Sequence, residues 1–121
     1  MIIAGFGLRS GARLASLQGA LAAAGNPSLA ALAVPADKAD HTALAELAKA
    51  LALPLIAVPV GDLPHQITAT LAPHQPLRYG AGSVAEASAL AACGPGARLI
   101  RERQIAPDGM ATVALAEGPD P

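Results

Sequence analysis

The chain has 121 residues, 53% of them hydrophobic, a net charge of −1, one Phe, one Tyr and no Trp. These values predict one domain and argue against nucleic-acid binding, which needs a basic patch and stacking aromatic side chains. One cysteine and three scattered histidines predict neither a disulfide nor a metal centre. Because the N-terminus lacks a signal-peptide pattern and no uninterrupted apolar run reaches about 18 residues, we expect a cytoplasmic protein that uses no membrane, metal or cofactor.

The first thirteen residues predict a strand, a glycine-rich loop and the start of a helix. An apolar run is followed by glycines at 5, 7 and 11, which permit a positive φ and the close approach of another molecule. If the helix begins near Ser10, its free amides and the charges of Arg9 and Arg13 face the same loop and suit an anion. The candidate ligand contacts are Gly7, Arg9, Ser10, Gly11 and Arg13. The alternative is that the glycines only turn the chain between strand and helix.

Four segments with alternating helix and strand patterns follow. They are a helix over 12–24, a strand over 29–34, a helix over 41–52 and a strand over 53–60. Asp40 is the expected N-cap of the second helix. This alternation predicts right-handed crossovers and a parallel sheet whose ligands bind beyond the carboxyl ends of the strands. Asp37 and Lys38 follow the second strand and are therefore expected on the same rim as the first loop. Lys38 is equally consistent with a solvated loop lysine, and Asp37 with a turn residue.

The next part of the chain predicts one weak and one strong helix. The weak helix covers 62–71, with Asp62 as its cap and 73–76 as its end. The strong helix begins at Ser83, because Ser83 and Glu86 have the spacing of a capping box. For both residues this capping role is the structural alternative to a functional one.

The C-terminal part predicts a hairpin. Pro107-Asp108-Gly109 is a turn sequence between the segments over 98–104 and 110–116. The elements together predict an α/β fold, a three-layer sandwich with a mostly parallel sheet and a C-terminal antiparallel hairpin. We expect one domain over 1–117 and a flexible tail over 118–121.

Four segments in this order resemble the CobE/CbiG C-terminal domain family of cobalamin biosynthesis. They are Gly5–Gly11, Asp37–Ala39, Gly80–Leu90 and Ala111–Ala116. The resemblance spans nearly the whole chain, and the chain is most similar to the stand-alone CobE form because it has no room for the other domains of a CbiG-type protein. In the first segment the family's commonest pattern has two basic residues before the glycine. This chain has Arg9-Ser10, so one positive charge is missing there, and Arg13 is a candidate replacement.

The resemblance implies an α/β fold and work on corrin-ring intermediates. It adds Gly80, Gly82, Ser83 and Glu86 to the candidate ligand contacts. In CbiG-type proteins the activity is the opening of a ring lactone with loss of a two-carbon fragment as acetaldehyde. The expected partners are a corrin intermediate and other enzymes of the cobalamin pathway.

Three classes of function are consistent with the sequence. The first is a carrier or accessory protein that binds a carboxylate-rich corrin intermediate on a cationic rim. The second is a hydrolase-type enzyme that opens a ring lactone of a precorrin intermediate, which needs a base such as Glu86. The third is a nucleotide-binding module, although the third glycine comes one residue too late for the usual fingerprint and Asp37 falls too late for a ribose contact.

Overall fold

Five strands and three α-helices form the part of the chain that the computed structural model describes, which is residues 1–71, 80 and 82–119. In chain order they are β1 (Ile2–Leu8), α1 (Leu14–Ala23), β2 (Ala31–Pro35), α2 (Thr42–Leu51), β3 (Leu55–Val58), α3 (Val84–Cys93), β4 (Arg98–Ile105) and β5 (Ala111–Glu117). Short 3₁₀ turns follow β2 and β3, at Ala36–Lys38 and Val60–Asp62.

The strands form one mixed sheet in the order β3-β2-β1-β5-β4. β1, β2 and β3 are parallel, and β5 is antiparallel to both of its neighbours, β1 and β4. The end of β1 is therefore level with the start of β5, where Leu8 pairs with Ala111. This arrangement confirms the predicted mostly parallel sheet with a C-terminal antiparallel hairpin.

Helices cover both faces of the sheet. On one face Phe6 packs against Leu17 of α1 and Leu44 of α2, and all three side chains are buried. On the other face Ile3 packs against Ala87 of α3. All five residues of β2 are buried, as expected for a strand between two helical layers. The predicted three-layer sandwich is confirmed.

The glycines of β1 allow α3 to lie directly on the sheet. A Cβ atom at Gly5 would overlap the carbonyl oxygen of Ala85. Gly5 and Gly7 lie inside the strand, and neither they nor Gly11 have a positive φ. The prediction that Gly5 and Gly7 lie in a loop is therefore wrong. Pairing with β5 extends β1 to Leu8, whereas the pairing with β2 reaches Gly5.

The first helix starts later than the sequence predicts. α1 begins at Leu14, with Arg13 as its N-cap residue, and the Ala12 N–H donates to the Arg9 carbonyl oxygen at 3.0 Å in a preceding turn. Arg9 and Arg13 are therefore not on one helix.

The second helix has a different cap from the one predicted. His41 caps α2, because its Nδ1 accepts a hydrogen bond from the Ala43 N–H at 3.1 Å. Its Nε2 lies 3.0 Å from the Ser10 carbonyl oxygen. The prediction that Asp40 is the N-cap is wrong, because the His41 imidazole bonds both the helix start and the loop after β1. The contact with the loop is between residues far apart in the chain, so the local sequence does not reveal it.

The weak helix predicted over 62–71 does not form. The described chain has a 3₁₀ turn at Val60–Asp62 and no α-helix between there and residue 71. The Ala69 and Thr70 N–H groups donate to the Glu86 carboxylate, each at 2.8 Å, instead of to carbonyl groups one turn back. The predicted helix end at 73–76 lies outside the described residues.

The predicted tail begins at Gly118, which contacts the N-terminal residue. Gly118 is buried, and its N–H donates to the Met1 carbonyl oxygen at 2.9 Å. Residues 120–121 of the predicted tail lie outside the described part of the chain.

Candidate functional site

A cavity of about 550 Å³ lies at the carboxyl ends of β1 and β2, which is the edge where ligands bind in parallel sheets. We call it the rim cavity. Its described lining comes from five separate segments: Phe6 to Arg9, Pro35 with Lys38, Ser83 with Val84, Arg103 with Ile105, and Gly109 to Thr112. The cavity therefore exists only because the fold brings these segments together.

Three cationic side chains line the rim cavity. Arg9 follows β1, Lys38 ends the 3₁₀ turn after β2, and Arg103 lies on β4. Arg9 is exposed, whereas Lys38 and Arg103 are half-buried. Within the described residues the ion pair is Arg98 with Glu117 at 3.0 Å, and none of the three cavity cations takes part in one. The cavity therefore presents positive charge without an acidic counter-group from the described lining.

The rest of the wall is largely apolar. Its larger apolar side chains are Phe6, Leu8, Val84, Ile105 and Met110, of which Phe6 is fully buried. Apolar walls with a few convergent polar groups are the usual form of a small-molecule site. Ser83 and Thr112 add two hydroxyl groups, of which Thr112 lies 3.4 Å from the Gly7 carbonyl oxygen as a donor.

The structure brings some of the sequence-predicted residues to this cavity and leaves others outside it. Gly7, Arg9, Lys38 and Ser83 line the cavity. The predicted residues that are not part of its described lining are Ser10, Gly11, Arg13, Asp37, Gly80, Gly82 and Glu86. The expectation that the loop after β1 and the turn after β2 share one rim is confirmed for Arg9 and Lys38.

Arg13 is at the start of α1, where the protein supplies its own anion. The Arg13 N–H donates to Ser16 Oγ at 3.1 Å, and Ser16 Oγ donates to Asp108 Oδ2 at 2.6 Å. Asp108 Oδ1 accepts from the Met110 N–H at 2.9 Å. The Ser16 hydroxyl, followed by the Met110 N–H, holds the pKa of Asp108 below its ordinary value of 3.8. The start of α1, which was predicted to bind an external anion, is thus linked through Ser16 to the carboxylate of Asp108 in the turn between β4 and β5.

Ser83 and Glu86 form half of the predicted capping box. Ser83 Oγ accepts from the Glu86 N–H at 3.4 Å, so Ser83 caps α3. The Glu86 carboxylate does not complete the box. It is fully buried and bonds the backbone at Ala69, Thr70 and Arg103. The prediction of a reciprocal cap is wrong because the tertiary structure supplies Glu86 with donors from other segments.

Sequence reasoning missed Arg103. β4 runs in the same direction as β1, since both are antiparallel to β5, and its end therefore reaches the same edge of the sheet. The sequence predicts the hairpin that contains Arg103. It does not show that β5 lies next to β1, and this position is what brings the end of β4 to the cavity. Arg103, and not Arg13, brings a second guanidinium group to the cavity.

The single cysteine, Cys93, lies outside the described lining of the rim cavity. Cys93 Sγ donates to the Ala116 carbonyl oxygen at 3.5 Å, and burial raises the pKa of this thiol, which favours a packed side chain over a nucleophile. The described residues contain no group of three or more potential metal-ligating side chains. In the same residues no helix has the length and apolar character needed to cross a membrane.

Solved structures of cobalamin biosynthesis proteins share this fold. The cobalamin biosynthesis protein chiG from Agrobacterium tumefaciens str. C58 is 35% identical, with a TM-score of 0.76 over 99% of this chain and 100% of that chain. CobE, a protein from the cobalamin (vitamin B12) biosynthetic pathway, is 30% identical, with a TM-score of 0.77 over 96% of this chain and 89% of that chain. No curated protein sequence matches this chain.

A family model decides the assignment. The model that describes the cobalamin synthesis G C-terminus matches residues 2–116, which include every strand and helix except the last residue of β5. The chain therefore belongs to the cobalamin synthesis G C-terminus family, a family of cobalamin biosynthesis proteins.

Proposed function

We propose that the rim cavity binds a carboxylate-rich corrin intermediate, and that the protein acts as a carrier of that intermediate or as an accessory to a pathway enzyme. The observation that supports this proposal is the set of three cations, Arg9, Lys38 and Arg103, on one cavity without an acidic partner among the described residues. Carboxylates form charge-assisted hydrogen bonds with such groups, and these are stronger than neutral ones.

The apolar wall supports a ligand with an apolar body. A corrin ring carries methyl groups along its edge and acidic side chains that extend from it. The ring edge would contact Leu8, Val84 and Ile105 while the acidic side chains reach the cations. A volume of about 550 Å³ suits one edge of such a ring better than the whole macrocycle with all its side chains, so part of the ligand would stay in solvent.

The residues of the described lining favour binding of the ligand without catalytic turnover. It contains hydroxyl groups at Ser83 and Thr112 but no carboxylate, imidazole or thiol that would act as a general base. Glu86, the base required by the hydrolase alternative, is fully buried and accepts four hydrogen bonds from Ala69, Thr70 and Arg103.

The proposal is tested by titrating the protein with two corrins that differ in charge. Cobyrinic acid carries free carboxylates, whereas the same side chains are amidated in cobinamide, and the absorbance of both reports binding. We expect cobyrinic acid to bind at least about tenfold more tightly, the effect of one or two charge-assisted hydrogen bonds. Its affinity should also fall between low and physiological salt, because the cavity is open to solvent. Equal affinity for the two corrins, or no binding of cobyrinic acid, would contradict the proposal.

A further inference from the structure

Arg103 reaches the rim cavity from an irregular part of an edge strand. Between the Arg101–Leu115 and Gln104–Val113 pairs, β4 has two residues, Glu102 and Arg103, where β5 has one. Such a bulge leaves a residue unpaired in the ladder and changes the direction of a side chain. The bulge thus aims Arg103 at the cavity and also creates a backbone N–H that needs an acceptor.

Glu86 supplies that acceptor. Its Oε2 accepts from the Arg103 N–H at 2.9 Å and from Thr70 Oγ1 at 2.7 Å. Its Oε1 accepts from the Ala69 and Thr70 N–H groups, each at 2.8 Å. The side chain is 0% exposed. A buried carboxylate is tolerated when it is fully hydrogen-bonded, and this one holds together the start of α3, the bulge of β4 and the chain before residue 71.

We infer that Glu86 is a positioning residue for the rim cavity, and that it acts by fixing the β4 bulge that directs Arg103 at the ligand. This inference rests on the proposed function for the identity of the ligand. Carboxylate chemistry is required because all four groups that bond Glu86 among the described residues are donors. A glutamine at this position has one acceptor oxygen and an NH₂ group that would face the remaining N–H and O–H donors.

A double-mutant cycle tests whether Glu86 acts through Arg103. The affinity for cobyrinic acid is measured in wild type, Glu86→Gln, Arg103→Ala and the double variant. We expect Glu86→Gln and Arg103→Ala each to weaken binding by about tenfold. In the Arg103→Ala background, Glu86→Gln should add less than about twofold, because the two residues form one coupled unit. Losses that multiply in the double variant, or wild-type affinity in Glu86→Gln, would overturn the inference.

Amide hydrogen exchange gives a readout that does not depend on the ligand. In Glu86→Gln, exchange at the Arg103 and Thr70 amides should accelerate by at least about tenfold more than exchange in α2, because only the local structure is released. Ser88→Ala is the matched control, since Ser88 is a buried residue of the same helix whose hydroxyl has no partner among the described residues. It should leave affinity and exchange unchanged.

Further variants keep the result interpretable. If Glu86→Gln does not fold, Thr70→Val removes only the hydroxyl bond to Glu86 and should still accelerate exchange at Arg103. Leu47→Ala, in the core on the other face of the sheet, lowers global stability and should retain the affinity of the folded protein. Wild type that fails to bind cobyrinic acid contradicts the proposed function alone. An Arg103 amide that stays protected in Glu86→Gln or Thr70→Val contradicts the role of Glu86.

Discussion

At the scale of single residues, charge alone does not define the site, because equivalent side chains have different surroundings. Arg9 and Arg13 are both exposed arginines four positions apart. Arg9 lines the rim cavity with Lys38 and Arg103. Arg13 precedes α1, outside that lining, where its backbone bonds Ser16. A ligand in the cavity should therefore distinguish between the two arginines.

We predict that Arg9→Ala weakens cobyrinic acid binding by about tenfold to a hundredfold, the loss of one or two charge-assisted hydrogen bonds. Arg13→Ala is the matched control, with the same change in net charge, and should stay within about twofold of wild type because exposed charges outside the site are screened. Absorbance titration of both variants measures the difference. Equal losses of affinity in both variants would mean that the ligand binds near the start of α1 and not in the rim cavity.

At the scale of elements, the close contact between β1 and α3 depends on the absence of a side chain. A Cβ atom at Gly5 would overlap backbone atoms of Ala85 and Ala89, and backbone atoms cannot move aside as a flexible side chain can. The β1–α3 contact also places Ser83 and Val84 beside Gly7 on the cavity wall. The spacing of this helix and strand thus determines one side of the site.

We predict that Gly5→Ala destabilises the fold by at least about 2 kcal/mol, as overpacking in a core does. Gly61→Ala is the control, because an added Cβ there meets nothing within 4 Å and should change the unfolding free energy by no more than about 0.5 kcal/mol. Urea unfolding of both variants measures the two costs. A Gly5→Ala protein as stable as wild type would show that α3 can shift away from the sheet.

A second link between elements joins the start of α1 to the turn between β4 and β5 through Ser16 and Asp108. The Ser16 hydroxyl lowers the pKa of Asp108 from its ordinary value of 3.8. Since the folded pKa is lower than the unfolded one, the stabilisation is fully present above the unfolded pKa. It is lost as the pH falls through the depressed folded pKa.

We therefore predict that Asp108→Asn is less stable than wild type at neutral pH, and that the difference shrinks as the pH falls below 3.8. Urea unfolding across this range measures it. In a Ser16→Ala background the same comparison should depend less on pH, because the main cause of the pKa shift is gone. A difference between wild type and Asp108→Asn that is constant with pH would mean that the contact is not linked to titration.

At the scale of the whole molecule, the rim cavity is made by topology. β5 lies antiparallel between β1 and β4, so the end of β4 and the turn before β5 reach the edge where β1 and β2 end. His41 joins the loops after β1 and before α2 at the same end of the sheet. The cations consequently converge from three strands that are far apart in the chain.

Local patterns were sufficient to predict the layers and most of the elements, but not the segment over 62–71, where the predicted helix does not form. Helical spacing, a buried apolar strand and a Pro-Asp-Gly turn depend on neighbouring residues, so α1, α2, α3 and the hairpin were predicted within a few positions. The rule that ligands bind at the carboxyl ends of parallel strands was sufficient to place Arg9 and Lys38 on one rim. These inferences required no knowledge of which residues meet across the fold.

Only the tertiary structure decided the roles of Gly5, Glu86 and Arg103. A glycine inside a strand and a glycine in a loop have the same local signature, and the backbone of α3 opposite Gly5 distinguishes them. Glu86 has the spacing of a cap, but its carboxylate instead accepts hydrogen bonds from the backbone amides of residues 69, 70 and 103. A buried charge needs several donors at once, and a single cap amide does not supply them. Arg103 joins the cavity through a bulge whose existence depends on pairing with β5. Each of these roles depends on contacts between residues distant in the chain, which a single sequence does not encode in its local patterns.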